Sequence, residues 1–347
     1  MKYTIFGESH GPAIGAVLEG VPAGLALDLE AVQKELDRRA PGRDAAATAR
    51  KETDRVQVVS GVFEGKTTGT PLCMVIQNAD QHSSDYESIR WTPRPSHGDY
   101  AGFIASKGAR DHRGGGHFSG RLTAPLVAAG AVAKQALAQR GVWVGAHISA
   151  IYGILDKTLD DAEALKPLAL KSFPVLDDAL GEQMRQAILD AKADGDSVGG
   201  AEECAVVGLP AGLGGPDFGH NVEGIFSQYL FAVPAVKAVE FGLGTGLAYA
   251  RGSEANDPFE VTDDGVRTKT NYAGGVNGGI TNGMPVVFTA TFRPTPSIAL
   301  PQQSVDLRTG EEVEIRVKGR HDPCVVVRAV PVVEAAAALA ACEVLGI

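Results

Sequence analysis

Apolar positions recur at two different periods along this chain, and the switches between them mark out its elements. Leu29, Val32 and Leu36 fall at helical spacing behind Asp28, whose carboxylate suits an N-cap. The predicted helix closes on Arg38-Arg39, cations that suit the negative end of a helix dipole, and Pro41-Gly42 stops it. Residues 55–63 and 70–77 read as strands joined by a Gly-Lys-Thr-Thr-Gly-Thr-Pro turn. So short a connection predicts an antiparallel pair. Thr123 to Arg140 is alanine-rich and apolar nearly all round, ending at Gly141, the pattern of a helix buried on most faces. Further strands are expected at 142–151, 202–209, 236–241, 285–292 and 312–317. Helices are expected at 177–193 and 218–230, with a last one from about 330 to 345 and Pro331 near its start.

Strands follow one another without regularly spaced helices, which predicts an α+β fold with antiparallel sheets rather than a doubly wound parallel one. No linker or repeat interrupts the 347 residues, so one domain over 1–347 is expected. The glycine-rich stretch 242–283 reads as loops around a site.

Composition narrows the function classes. A net charge of −10 argues against nucleic acid as a general partner, yet arginines gather beside glycines and prolines, as a local anion pocket requires. Four scattered cysteines, with no Cys-x-x-Cys pair, suit a reducing cytoplasm without disulfides. Neither a signal segment nor a membrane-length apolar run is present, so no membrane association is expected. No His-x-x-x-His or glutamate-rich ligand spacing appears, and no metal is expected.

Three loop clusters carry the candidate chemistry: Phe6-Gly-Glu-Ser-His-Gly-Pro12, the run from Arg94-Pro-Ser-His-Gly-Asp-Tyr100 to Arg110-Asp-His-Arg-Gly-Gly-Gly-His117, and Gly319-Arg-His-Asp-Pro-Cys324. Glycine runs let a backbone approach a ligand closely. His10 and His97 each suit either a hydrogen-bonded loop histidine or a proton donor working near neutral pH. Arg38, Arg39, Arg43 and Arg50 surround the Pro-Gly break, and Arg320 and Arg328 flank Asp322. Guanidinium forks in such numbers fit a multiply anionic substrate, whereas Arg185 and Arg267 read as surface charge. Gly61 to Thr67 is one residue short of a phosphate-binding loop, and Leu247 breaks a dinucleotide fingerprint after Gly242-Leu-Gly-Thr-Gly246.

Seven motifs in order resemble the chorismate synthase family: Phe-Gly-Glu-Ser-His-Gly, Arg-Arg-x-Pro-Gly, Ser-Gly-Val-Phe-Glu-Gly-Lys-Thr-Thr-Gly-Thr-Pro, Arg-Pro-x-His-x-Asp-Tyr followed by Arg-Gly-Gly-Gly, Pro-Ala-Val-Lys-x-Val-Glu, Gly-Gly-Ile-Thr-Asn-Gly, and Gly-Arg-His-Asp-Pro-Cys-Val. The resemblance implies a β-α-β sandwich, antiparallel sheets with helices between them. It implies a lyase that converts 5-enolpyruvylshikimate 3-phosphate to chorismate and phosphate by 1,4-elimination, the last step of the shikimate pathway, with no net redox change.

Reduced FMN is the implied cofactor, with NADPH needed only indirectly through an external flavin reductase, and a cytoplasmic homotetramer is the implied assembly. By the same resemblance His10, His97 and Asp322 are catalytic, and Ser9, Arg39, Arg50 and Arg320 bind substrate. The implied flavin contacts are His117, Phe118, Ser119, Pro234, Ala235, Gly278, Arg293, Thr295, Ser297 and again Arg320. The chain departs from the family at His117-Phe-Ser-Gly-Arg-Leu122, where Arg-Ser-Ser-Ala-Arg-Glu is usual, and at Ala45, where an arginine is usual. Pro234 stands in place of asparagine and Arg293 in place of lysine. The competing reading is a flavin-binding protein of the same fold that acts on another anionic ligand.

Overall fold

Alternating burial along each strand builds two antiparallel sheets in the computed structural model, which describes residues 1–44, 46, 54–78, 90–215, 217–263, 265–317 and 321–347. The first sheet runs in the order Lys2–Gly7, Ala13–Glu19, Leu72–Gln77, Val56–Ser60. Across its centre Ile14 faces Ile76, Ala16 faces Met74 and Leu18 faces Leu72, all of them buried. One such register turns every apolar side chain to the same face. The second sheet runs Val236–Phe241, Val286–Phe292, Gly200–Val207, Trp143–Ile151, Ile154–Leu155.

The α-helices among the described residues are α1 (Leu29–Arg39), α2 (Asp99–Ala105), α3 (Thr123–Ala138), α4 (Asp178–Ala193), α5 (Val222–Phe231), α6 (Gly252–Ala255) and α7 (Val326–Val344). α3 packs on the first sheet, α7 on the second, and the two pack on each other, so helices fill the space between the sheets. Their approach is close because their facing residues are small. A methyl on Gly130 would lie 2.2 Å from the Ala335 methyl. Alanine and glycine therefore set the helix spacing here, more than any long side chain does.

The expected elements are present, and the differences have physical causes. Asp28 caps α1 by accepting from Ala31 N at 3.0 Å, and Val32 and Leu36 are buried, but Leu29 lies at the helix start and is 42% exposed. Arg38 and Arg39 do more than face a dipole: both are drawn inward by buried carboxylates. The strand pair 55–63 and 70–77 is antiparallel with Val56 opposite Ile76, and a small hairpin, Val62–Phe63 with Lys66–Thr67, occupies the turn. α5 begins at Val222, four residues after its expected start, because Asn221 caps it through Gly224 N at 2.5 Å. α7 begins at Val326, ahead of the expected start, with Pro331 inside it. Burial of Val326, Val327 and Val330 outweighs the one backbone bond that proline removes.

α2 lies within a stretch whose sequence reads as loop, and the strands Lys2–Gly7 and Ala13–Glu19 have no counterpart among the elements expected from periodicity. Arg185 is not plain surface charge. Its guanidinium donates to Asp44 at 3.0 Å and lies over the Phe173 ring, tying α4 to the segment after α1. Arg267 does pair on the surface, with Glu260. The 242–283 stretch forms α6 and two hairpins, Phe259–Thr262 with Gly265–Thr268 and Val276–Asn277 with Ile280–Thr281.

Candidate active site

Three loops at the end of the first sheet bring the two candidate histidines to one glycine turn. The first two strands form a hairpin whose bend, Glu8–Pro12, carries Ser9 and His10. Asn78, just past Leu72–Gln77, holds that bend by donating to Glu8 O at 3.1 Å and Gly11 O at 2.9 Å. His97 precedes α2, and Ser96 adopts a φ of 59°, the left-handed conformation that turns the chain into the helix. Between the histidines runs Gly114-Gly115-Gly116, all at positive φ.

Each glycine of that turn meets a site residue. A methyl on Gly114 would stand 2.2 Å from His10 Cε1, and one on Gly115 would stand 3.3 Å from His97 Nε2. On Gly116 it would strike Asp111 O at 2.4 Å and approach Glu8 Oε2 at 2.9 Å. Any side chain would drive these groups apart, which is the physical need for three glycines in a row.

Hydrogen bonds fix the state of each ring. Ser9, buried, donates its hydroxyl proton to Arg113 O at 3.2 Å and lies 3.1 Å from His10 Nδ1. With its one proton committed, Ser9 accepts from His10, so Nδ1 carries hydrogen and Nε2 is the working nitrogen. His97 Nδ1 lies 2.9 Å from Asp99 Oδ1. Asp99 is 1% exposed and also accepts from Arg94 Nε at 2.7 Å and Arg110 Nη1 at 3.1 Å. Burial alone would raise the Asp99 carboxyl, but His97 and Arg94 outweigh it and hold it far below the usual carboxylate range. Burial lowers the His97 pKa, Asp99 opposes that, and Arg94 and Arg110 add to the lowering. A cavity of about 340 Å³ opens beside this group, lined among others by Arg94, Ser96, His97, Tyr100 and Ser304.

A second group holds the arginines. Arg39, 3% exposed, donates to Asp54 at 3.0 Å, to Thr123 Oγ1 at 3.0 Å and to Gly120 O at 3.1 Å. Arg121 pairs with the same Asp54 and reaches Asn78 Oδ1 at 3.1 Å, which joins this group to the His10 bend. Two guanidinium groups on one carboxylate leave a net positive charge. Asp322 enters through Arg328, whose Nη1 donates to it at 2.7 Å while its Nε donates to Arg39 O at 3.1 Å. Arg50 and Arg320 lie outside the described residues.

Of the ten flavin candidates, Arg293 and Ser297 bond the segment just before His97, and Ala235 and Thr295 adjoin them. Arg293 N donates to Ala235 O at 3.0 Å, and its guanidinium reaches Ser96 O. Ser297, buried, accepts from Arg94 Nη1 at 3.2 Å. Ala235 has a φ of 76°, strained for a residue with a side chain. Thr295 Oγ1 is buried and has no hydrogen-bond partner among the described residues, which suits a ligand acceptor. An orphaned hydroxyl, a strained backbone turn and a cation together fit a flavin.

Directly after the glycine turn, His117 Nδ1 lies 3.0 Å from Gly7 O, and Ser119 caps the next turn by accepting from Arg121 N at 3.2 Å. Phe118 is 51% exposed and lies over Gly98, next to His97, and over Gly102 of α2. Half-buried Pro234 adjoins Ala235. Gly278 lies apart, in the turn of the Val276–Asn277 hairpin, with open space where a side chain would be. Sequence reasoning missed Asp54 and Asn78, and it read Arg328 as one of the anion-binding arginines, whereas Arg328 joins Asp322 to Arg39. Asp99 was visible in its motif, but nothing in the motif revealed which groups it holds.

A sequence model of chorismate synthase matches residues 1–345. The chain is 47% identical to the chorismate synthase of Thermococcus kodakarensis over 97% of its length and 94% of that protein's. It is 48% identical to that of Korarchaeum cryptofilum over 96% of its length and 92% of that protein's. A crystal structure of chorismate synthase superposes with a TM-score of 0.78 at 29% identity, covering 99% of this chain and 91% of that one.

Proposed function

This chain belongs to the chorismate synthase family, and from that premise we propose how its own residues perform the reaction. The enzyme converts 5-enolpyruvylshikimate 3-phosphate to chorismate and phosphate, the last step of the shikimate pathway. It breaks a C–O bond and removes a proton from a distant ring carbon with no net redox change. The observation that carries the assignment of roles is the glycine turn, which brings His10 and His97 against adjacent residues of one backbone segment.

His10 protonates the departing phosphate from Nε2, its Nδ1–H being held by Ser9. Ser9 thereby serves the substrate through His10 as well as by its position in the bend. Arg39, with Arg50 and Arg320, attracts the two carboxylates and the phosphate; Arg121 beside Asp54 adds charge to the same side. Asp322 assists removal of the ring proton, and Arg328, donating to it at 2.7 Å, aims its carboxylate. Arg94, Ser297, Thr295, Arg293 and Ala235 would hold reduced FMN beside His97, with Pro234, His117, Phe118, Ser119 and Gly278 at its margins. When bound, the reduced flavin supplies electron density to the eliminating substrate. His97 stabilises the charge state in which the flavin is bound.

NADPH acts only indirectly, through an external reductase that keeps FMN reduced. We read the chain as a single domain, because one buried cluster includes residues from Met1 to Cys342. We also read it as a homotetramer working in the cytoplasm, without nucleic acid or membrane. The net charge of −10 supports that reading, and no helix among the described residues is long and apolar enough to cross a membrane.

The test is an anaerobic assay with dithionite-reduced FMN and 5-enolpyruvylshikimate 3-phosphate, following chorismate absorbance and phosphate together. Equal yields are expected. Tight binding of both ligands without turnover would overturn the assignment.

A further inference from the structure

His97 lies against three charged neighbours, and their geometry decides where its proton resides. Its Nδ1 is 2.9 Å from Asp99 Oδ1 and 3.2 Å from Arg94 Nη2. Only one of these can be a hydrogen bond, because Nδ1 either carries a proton or accepts one. Asp99 is ionised and accepts from Arg94 N at 3.1 Å, Arg94 Nε at 2.7 Å, Arg94 Nη2 at 3.0 Å and Arg110 Nη1 at 3.1 Å. An unprotonated Nδ1 at 2.9 Å would set its lone pair against a buried carboxylate oxygen. The Asp99 contact is also the shorter of the two, and Arg94 Nη2 donates to Asp99 Oδ1 at 3.0 Å, closer than it stands to His97.

We propose that Asp99 is a positioning residue that fixes His97 as the neutral Nδ1–H tautomer and turns the Nε2 lone pair toward the glycine turn as an acceptor. Gly115 meets that nitrogen, as a methyl there would stand 3.3 Å from Nε2. The charged and titratable groups around the ring are Asp99 and Tyr100 from α2, Arg94 and Arg110 from the flanking loops, and Arg293, which binds Ser96 O. Burial opposes a second proton on the ring, and Arg94 and Arg110 add to that, in keeping with its lowered pKa. His97 therefore presents Nε2 to receive a hydrogen bond from a ligand N–H or O–H. The two histidines differ in their neighbours: Nδ1 of His10 meets the Ser9 hydroxyl, and Nδ1 of His97 meets a buried carboxylate that also holds two arginines.

The catalytic part of this inference rests on the proposed role of His97, whereas the tautomer does not, and the test separates them. Solid-state 15N NMR of uniformly [15N]histidine-labelled full-length enzyme at pH 7, assigned by difference with His97→Gln, reads both ring nitrogens of His97. A protonated Nδ1 and bare Nε2 are expected in the unmodified protein, so the result does not depend on any variant folding. A bare Nδ1, or a doubly protonated ring, would overturn the proposal.

Asp99→Asn should move the proton to Nε2, because the amide can donate to Nδ1. It should lower kcat roughly 10²–10⁴-fold with KM for the substrate retained, and reshape the pH profile. Asp99→Glu should restore part of kcat and the original tautomer. An Asp99→Asn enzyme that keeps the Nδ1 proton would remove Asp99 from the role. Full turnover by His97→Gln would instead refute the function assigned to His97 and leave the tautomer standing.

Discussion

His10 and Gly114 define what single residues do here. His10→Asn keeps a hydrogen-bonding side chain near Ser9 but cannot deliver a proton, so kcat should fall roughly 10²–10⁴-fold with KM little changed. Steady-state kinetics with reduced FMN reads this directly, and near-normal turnover would remove His10 as the acid. Gly114→Ala introduces a methyl 2.2 Å from His10 Cε1 at a φ of 64°. Neither His10 nor the turn can yield without losing its own contacts, so the variant should lose about 1–3 kcal/mol of stability and most of its turnover. Equilibrium denaturation beside the kinetic assay separates the two losses. An alanine variant with normal rates would mean that the turn sits farther from His10 than the structure places it.

At the scale of elements, α7 is held by a carboxylate in the middle of the helix layer. Glu334, 2% exposed, accepts from Arg38 of α1 at 2.6 and 2.9 Å, from Lys134 of α3 at 2.6 Å, and from Ala146 N of the second sheet at 3.2 Å. One side chain thus joins three helices and a sheet. Arg38 adjoins Arg39, so the same contact sets the direction from which Arg39 enters the site.

Burial would raise the Glu334 carboxyl, but Lys134 and Arg38 outweigh it and hold it low. Its folded pKa lies below the unfolded one, so its stabilisation is present above the ordinary carboxylate pKa of about 4.3 and is lost as pH falls below it. Glu334→Gln should cost about 3–5 kcal/mol near neutral pH and flatten the acid limb of a Tm-against-pH curve. His147 works with the opposite sign. Burial would lower its pKa, but Asp156 and Glu203, each 3.0 Å away, raise it. Its contribution is full below about 6.5 and fades as pH rises through the raised value.

For the whole molecule, the second sheet side carries apolar residues that its own fold leaves uncovered. Tyr249 is 92% exposed, Phe259 72% and Val261 84%, all within the 242–283 stretch. Such a concentration suits contact between copies in the proposed tetramer. Light scattering should give four times the 36.1 kDa chain mass, and Val261→Asp should shift the particle to a smaller species. A monomer at micromolar concentration would refute the tetramer.

The sequence by itself determined the fold class, most strands and helices, and which loops matter, because these follow from local periodicity, caps and glycine demands. Asp28 announces α1, the alanines of α3 and α7 announce a packed helix layer, and the Gly114–Gly116 run announces a close approach. Only the tertiary structure decided what each charge is for. Arg38 and Arg39 look alike in sequence, yet one is held by Glu334 and the other by Asp54, 296 and 15 residues away along the chain. Arg185 reads as surface charge until Asp44, 141 residues distant, folds onto it. His10 and His97 carry the same imidazole, and their division of labour depends on Ser9 in one case and on Asp99, Arg94 and Arg110 in the other. Periodicity is a property of neighbours in the chain, whereas protonation and ion pairing are properties of neighbours in space.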